Sequence, residues 1–200
     1  VRVVALVRHG EDLGGERLAA RGGAGLSVRG RAQARAAREF LAPLAAGVCS
    51  SPAPRARETA EVLSGGVVVR VLDGLAPLDL GEWEGARADA AAPLADALQR
   101  PGGRAPGGET LEALRVRAIA ALDEARDADG HVVVVAHRMT NAVLLADALG
   151  LPPEAAPRVQ QDPGAVSLLL EDRGGRLRPA AVNLTPLDPL RRAAAAVRVL

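Results

Sequence analysis

Lysine is absent from this 200-residue chain, and its aromatic side chains are confined to Phe40 and Trp83. The basic residues other than histidine are therefore all arginine, so arginine count alone says nothing about chemistry here. With hydrophobic residues at 48% and aromatics at 1%, any core must be built from Ala, Val and Leu. A single cysteine, Cys49, allows no internal disulfide. A net charge of +1 leaves no electrostatic footprint for nucleic acid or an anionic membrane. No apolar run approaches the ~20 residues of a membrane span. The chain opens on a strand-like stretch rather than a charged leader with an apolar segment. These features fit a cytoplasmic protein of one domain over residues 1–200.

What is present is an alternation of strand-like and helix-like segments, the pattern of an α/β sheet. The apolar, β-branched run Val3 to Val7 reads as a buried strand. A glycine-rich loop follows, Gly14 to Gly25. A helix is expected from Ser27 to Ala45, with Ser27 as N-cap. Further strands are expected at Gly47–Cys49, Val67–Leu72 and His131–Ala136, and a pair at Val166–Glu171 and Leu177–Val182. Gly174-Gly175 reads as the turn of that pair. Helices are expected at Arg55–Leu63, Ala88–Leu98, Glu109–Arg126 and Thr140–Leu149. Glu109 would favour its helix dipole, and Gly150 with Pro152 would end the last helix. His131 reads as a solvent-facing edge residue, and the tail after Pro189 as a short helix or disorder.

The chemistry-bearing residues fall at equivalent places in this alternation. Arg8 and His9 follow the first strand, Arg55 opens the helix after the second, and His137 follows the fourth. If those strands are parallel neighbours, the four side chains meet at one sheet edge, where open α/β sheets bind ligands. Two guanidiniums and two imidazoles suit a phosphoryl group, and a neutral histidine can attack it. Phosphoryl transfer then needs mainly positioning and charge stabilisation.

Six blocks of this chain, in order, resemble the histidine phosphatase superfamily, which includes the phosphoglycerate mutases. They are Arg8-His9-Gly10, Leu26-Ser27-x-x-Gly30-x-x-Gln33-Ala34, Ser50-Ser51-Pro52-x-x-Arg55-Ala56-x-x-Thr59-Ala60, Gly81-Glu82-Trp83-Glu84-Gly85, Pro106-Gly107-Gly108-Glu109-Thr110 and Val134-Val135-Ala136-His137. The resemblance implies a three-layer, mostly parallel sheet flanked by helices. It implies hydrolysis of a small phosphorylated metabolite through a phosphohistidine on His9, with Arg8, Arg55 and His137 holding the phosphate. No metal or cofactor is implied, and a homodimer is compatible with it. A mutase-type phosphotransferase, or a phosphate-binding protein without efficient turnover, are the alternatives. The segment around 84–107 is expected to act as lid and to set specificity.

The pattern breaks where a proton donor is needed. The family commonly carries a glutamate four residues before the Gly-x-Trp-Glu-Gly loop, and here that position is Pro77. An aspartate after the second histidine serves another branch, and here that residue is Arg138. Asp79, Glu82 and Glu84 lie close by, and Asp79 is the candidate acid. Arg138 either touches a second anionic group of the substrate or forms a surface ion pair. Glu11 reads as a loop anchor and Trp83 as a packing residue. A rival is the Cys49-x5-Arg55 spacing of cysteine phosphatases. That loop works through backbone N–H groups, and Pro52 and Pro54 remove two of them.

Overall fold

The computed structural model describes residues 1–15, 18, 22–44, 46–87 and 92–187. The described strands form one sheet: β1 (Arg2–Arg8), β2 (Gly47–Ser50), β3 (Val69–Val71), β4 (Val132–Ala136), β5 (Val166–Glu171) and β6 (Leu177–Leu184). Their order is β3-β2-β4-β1-β5-β6. β3, β2, β4 and β1 pair in parallel, whereas β5 and β6 join antiparallel at one edge. The antiparallel pair follows from a tight turn, in which Asp172 Oδ1 accepts from Gly174 N and Arg176 N and Gly175 takes φ +80°. Parallel strands need long crossovers, and here helices supply them.

Among the described residues, five α-helices flank the sheet: α1 (Val28–Leu41), α2 (Pro54–Ser64), α3 (Ala92–Leu98), α4 (Leu111–Ala125) and α5 (Arg138–Ala148). Alternate strand residues feed two apolar layers, as the period of a strand requires. Ala5, Val7, Val48, Val133 and Val135 pack with Ala37 and Leu41 of α1 and Ala56 and Ala60 of α2. Val4, Leu6, Val132 and Val134 pack with Leu114 and Ala118 of α4 and Val143 and Leu144 of α5. Both faces are covered, which is why β4 can be a continuous valine run, buried throughout. The small side chains of α1 and α2 let these helices lie close to the sheet.

Several expected boundaries move. Helix α1 stops at Leu41 and passes into a 3₁₀ turn, Ala42–Leu44. β3 is shorter than the valine run suggests, because β2 offers partners only to Val69, Arg70 and Val71, and Val67 and Val68 stay exposed. The N-cap of α4 is Thr110, whose hydroxyl accepts from Ala113 N at 3.1 Å. His131 is not an edge residue. It precedes the central strand β4, and its Nδ1 accepts from Val3 N at 3.0 Å. The start of the helix expected from Ala88, and the tail after Pro189, lie outside the described residues.

The loop after β1 is pinned by its neighbours. Ser27 caps α1, its Oγ accepting from Gly30 N and donating to Glu11 Oε1. Gln33 Oε1 accepts from Glu11 N, and Thr59 Oγ1 accepts from Gly10 N. The approach leaves no room for a side chain at Gly10, where a Cβ would stand 2.5 Å from Gly30 O. Gly10→Ala is therefore expected to lower stability by about 1–3 kcal/mol, measured by urea denaturation. A loss below about 0.5 kcal/mol, the range of ordinary surface changes, would show that the contact is not a tight one.

Candidate active site

β1, β4 and β2 are adjacent, parallel and nearly in step, with Arg8 opposite Ala136 and Ser50 opposite Val135. The chain leaving each strand is held to β4 or its exit, His9 N donating to Ala136 O and Ser51 N to Val135 O. Arg8, His9 and His137 thus stand side by side, and α2 brings Arg55 in from its first turn. All four line one cavity of about 720 Å³. The imidazole centroids of His9 and His137 are 5.1 Å apart.

Arg55 joins the two imidazoles. Its Nε donates to His9 Nε2 at 3.2 Å and its Nη2 to His137 Nδ1 at 3.3 Å, while Nη1 donates to Gly22 O. Arginine only donates, so both ring nitrogens accept, and the tautomers follow. His9 carries its proton on Nδ1 and donates to Gly10 O at 2.7 Å. His137 carries its proton on Nε2 and donates to Ser51 Oγ at 2.7 Å. His9 therefore presents an unprotonated Nε2 to the cavity, the nitrogen a nucleophile requires.

Burial, with Arg8 and Arg55 beside it, lowers the pKa of His9 to about 3. Burial also holds His137 well below the ordinary histidine value, helped by His9, Arg55 and Arg8. The positive charge of the site therefore resides in arginine. Burial lowers the pKa of Arg8 to about 10, with Arg138 adding to the shift and Asp12 and Asp162 opposing it. Burial likewise lowers that of Arg55, opposed by Asp12 and Glu84. Arg8 Nη1 donates to Gln161 O, and its buried Nε has no hydrogen-bond partner.

The other expected residues divide. Arg138 reaches the cavity rim, exposed, with Nη2 donating to Pro157 O at 3.0 Å. Asp79 is not among the residues lining the cavity. Its Oδ1 accepts from Gly81 N, and its backbone N donates to Glu109 Oε2. Pro77 does line the cavity, so the site keeps that position and lacks a proton donor there. Glu11 serves as a loop anchor, bonded to Ser27. Trp83 is partly buried against the core. Cys49 is buried in the core, and burial raises its thiol pKa. The thiol is not among the cavity's lining groups, which removes the basis for a cysteine nucleophile.

Two features escaped the sequence reading. Arg117 donates to Gly74 O, Ala76 O and Pro77 O and pairs with Glu109, clamping the loop that forms one cavity wall. Asp12 lines the cavity, its Oδ2 3.5 Å from Arg55 Nε. Nothing in the local pattern marks Arg117. Asp12 stood in plain view beside the Arg-His-Gly block.

The model of the histidine phosphatase superfamily, branch 1, matches residues 4–184. The chain belongs to that superfamily. It is 36% identical to a glucosyl-3-phosphoglycerate phosphatase of Mycolicibacterium vanbaalenii, with 78% of each chain covered. Among solved structures it resembles a mycobacterial glucosyl-3-phosphoglycerate phosphatase complexed with VO3, at TM-score 0.81 and 30% identity, covering 92% of this chain and 99% of that one. It also resembles Bacillus stearothermophilus YhfR at TM-score 0.82 and 24% identity, a likeness of fold, covering 94% and 100%. The superfamily blocks now acquire physical roles: Ser27, Gln33 and Thr59 fix the loop carrying His9, and Arg55 fixes both imidazoles.

The depressed histidine pKa values give a direct test. The unfolded chain binds protons at these imidazoles below about pH 6.5 and the folded chain does not, so their contribution to stability is lost as pH falls below that value. In NMR titration, His9 and His137 should show no protonation between pH 8 and 5. A midpoint near 6.5 for either ring would contradict the arrangement.

Proposed function

We propose that this protein hydrolyses a small phosphate monoester, taking the phosphoryl group onto His9 Nε2 and passing it to water. The observation that carries the reading is Arg55 donating to both imidazoles, with the His9 tautomer fixed by Gly10 O. Arg8, Arg55 and His137 hold the phosphoryl oxygens. Positioning and charge supply the catalysis, so no metal is required. A phosphate dianion favours the protonated form of a nearby imidazole, and His137 gains a proton as the substrate binds. Relatives named as phosphatases support transfer to water over return to the substrate. The reaction asks only for a phosphorylated metabolite and water, both cytoplasmic, and runs in a monomer or a homodimer alike.

His9→Ala is expected to abolish phosphate release in buffer containing a chelator. Rapid quenching of the wild-type enzyme with a labelled substrate should trap an acid-labile, base-stable phosphoryl group on His9. Residual turnover of the variant above about a hundredth of wild type, or no trapped group under burst conditions, would remove the mechanism.

The walls indicate the organic part of the substrate. Leu18, Leu78, Leu80, Leu94, Leu98 and Met139 face the cavity, and Gln99 is the uncharged amide among its described lining residues. Leu94, Leu98 and Gln99 come from the 84–107 segment, which we assign to specificity. Arg138 and Arg158 stand at the same cavity and suit a second anionic group. Such walls favour an apolar or aromatic body over a polyhydroxylated one. In a panel of phosphate esters, kcat/KM for a phenylalkyl phosphate should exceed that for a hexose phosphate by at least about tenfold, the discrimination a few apolar contacts provide. Preference for the hexose phosphate would overturn this assignment.

A further inference from the structure

Pro77 lines the cavity and offers no proton, yet the departing alkoxide of an alkyl ester needs one. Two carboxylates line the cavity among its described residues, Glu11 and Asp12. Glu11 is committed elsewhere: Oε1 accepts from Ser27 Oγ at 2.7 Å, and Oε2 lies 3.9 Å from Arg29 Nε. Asp12 is oriented differently. Its backbone bridges to Leu26, and its Oδ1 accepts from Gly14 N at 2.9 Å. Its Oδ2 is left toward Arg55 Nε at 3.5 Å, with the side chain 19% exposed. That same Nε donates to His9 Nε2 at 3.2 Å. Carboxyl oxygen and nucleophilic nitrogen thus flank a single guanidinium atom. Asp12, Arg55 and His9 also line the same cavity, so the carboxyl stands beside the guanidinium on which the phosphoryl group is held.

Resting on the phosphohistidine reading above, we propose that Asp12 is the proton donor to the leaving oxygen, in place of the acid that Pro77 cannot supply. A phosphoryl dianion takes over the guanidinium, and like charge favours the neutral form of an adjacent carboxyl. Substrate binding thereby loads the acid. His9 Nε2 then forms its bond to phosphorus as the P–O bond to the alcohol breaks, and the Asp12 proton passes to the departing oxygen. The products are the alcohol, Nε2-phosphohistidine with Nδ1 still protonated, and ionised Asp12. In the second half, water attacks phosphorus and gives its proton to the Asp12 carboxylate. The P–N bond breaks, and inorganic phosphate and neutral His9 are regenerated. Protons and charge balance over the cycle without a further reactant.

The test compares two substrates on one preparation of each enzyme: a phenylalkyl phosphate, whose alkoxide needs protonation, and 4-nitrophenyl phosphate, whose leaving group does not. The ratio of their kcat/KM values cancels any difference in the folded fraction. In Asp12→Asn this ratio should fall at least about a hundredfold below wild type, the usual contribution of a general acid. Asp12→Glu, which keeps the carboxyl, should recover at least about a tenth of the wild-type ratio. An unchanged ratio in Asp12→Asn would overturn the proposal and leave Asp12 as a counter-ion of Arg55. A rise on both substrates would also overturn it, making Asp12 an obstacle to phosphate. His9→Ala run alongside separates the two levels. Activity surviving there defeats the phosphohistidine reading itself, whereas its loss with an unchanged Asp12→Asn ratio defeats only the assignment of the acid.

Discussion

One buried guanidinium organises the site. Arg55, with 3% of its side chain exposed, spends two of its N–H groups on the two imidazoles and a third on Gly22 O. Burying such a charge is costly unless it is paired and hydrogen-bonded. The protein meets that cost with acceptors from two connections, His9 and Gly22 after β1 and His137 after β4, and with Asp12 as counter-ion. The consequence is chemical. Because arginine can only donate, both histidines must accept, and their protons are fixed on the far nitrogens. The orientation and tautomer of both imidazoles follow from where α2 places one side chain.

The sheet makes that placement possible. Three adjacent parallel strands end together, so the residues just beyond them converge without any special loop. The superfamily blocks that seem unrelated along the chain then prove to be a brace around His9. Thr59 holds Gly10, Gln33 holds Glu11, and Ser27 ties Glu11 to the start of α1. Elsewhere on the cavity, Arg117 gathers three carbonyls of the segment that carries Pro77. The cavity is braced by hydrogen bonds around His9 and lined by apolar side chains, Leu78, Leu80, Leu94 and Leu98 among them.

Much of this was legible in the sequence, for local reasons. The valine run of β4 could be read because both faces are buried. Ser27 could be read because a capping serine has a local signature. The convergence of Arg8, His9, Arg55 and His137 needed only strand ends and parallel order. What could not be read depended on distant partners. Glu109 looked like a dipole residue until Arg117, eight positions on, was seen to claim it. His131 looked like an edge residue because nothing local announces a bond to Val3. Val67 and Val68 looked like strand, but pairing is limited by the short partner β2. Asp79 lies close to the Gly-x-Trp-Glu-Gly loop along the chain, but the bond from Gly81 N to its Oδ1 has no local signature.

The most direct measurement is a crystal structure of this protein grown with orthovanadate, which mimics a phosphoryl group in transfer. The account requires vanadium bonded to His9 Nε2, with its oxygens on Arg8, Arg55 and His137. Vanadate bound at another site, or in this cavity with His9 turned away from it, would contradict the account.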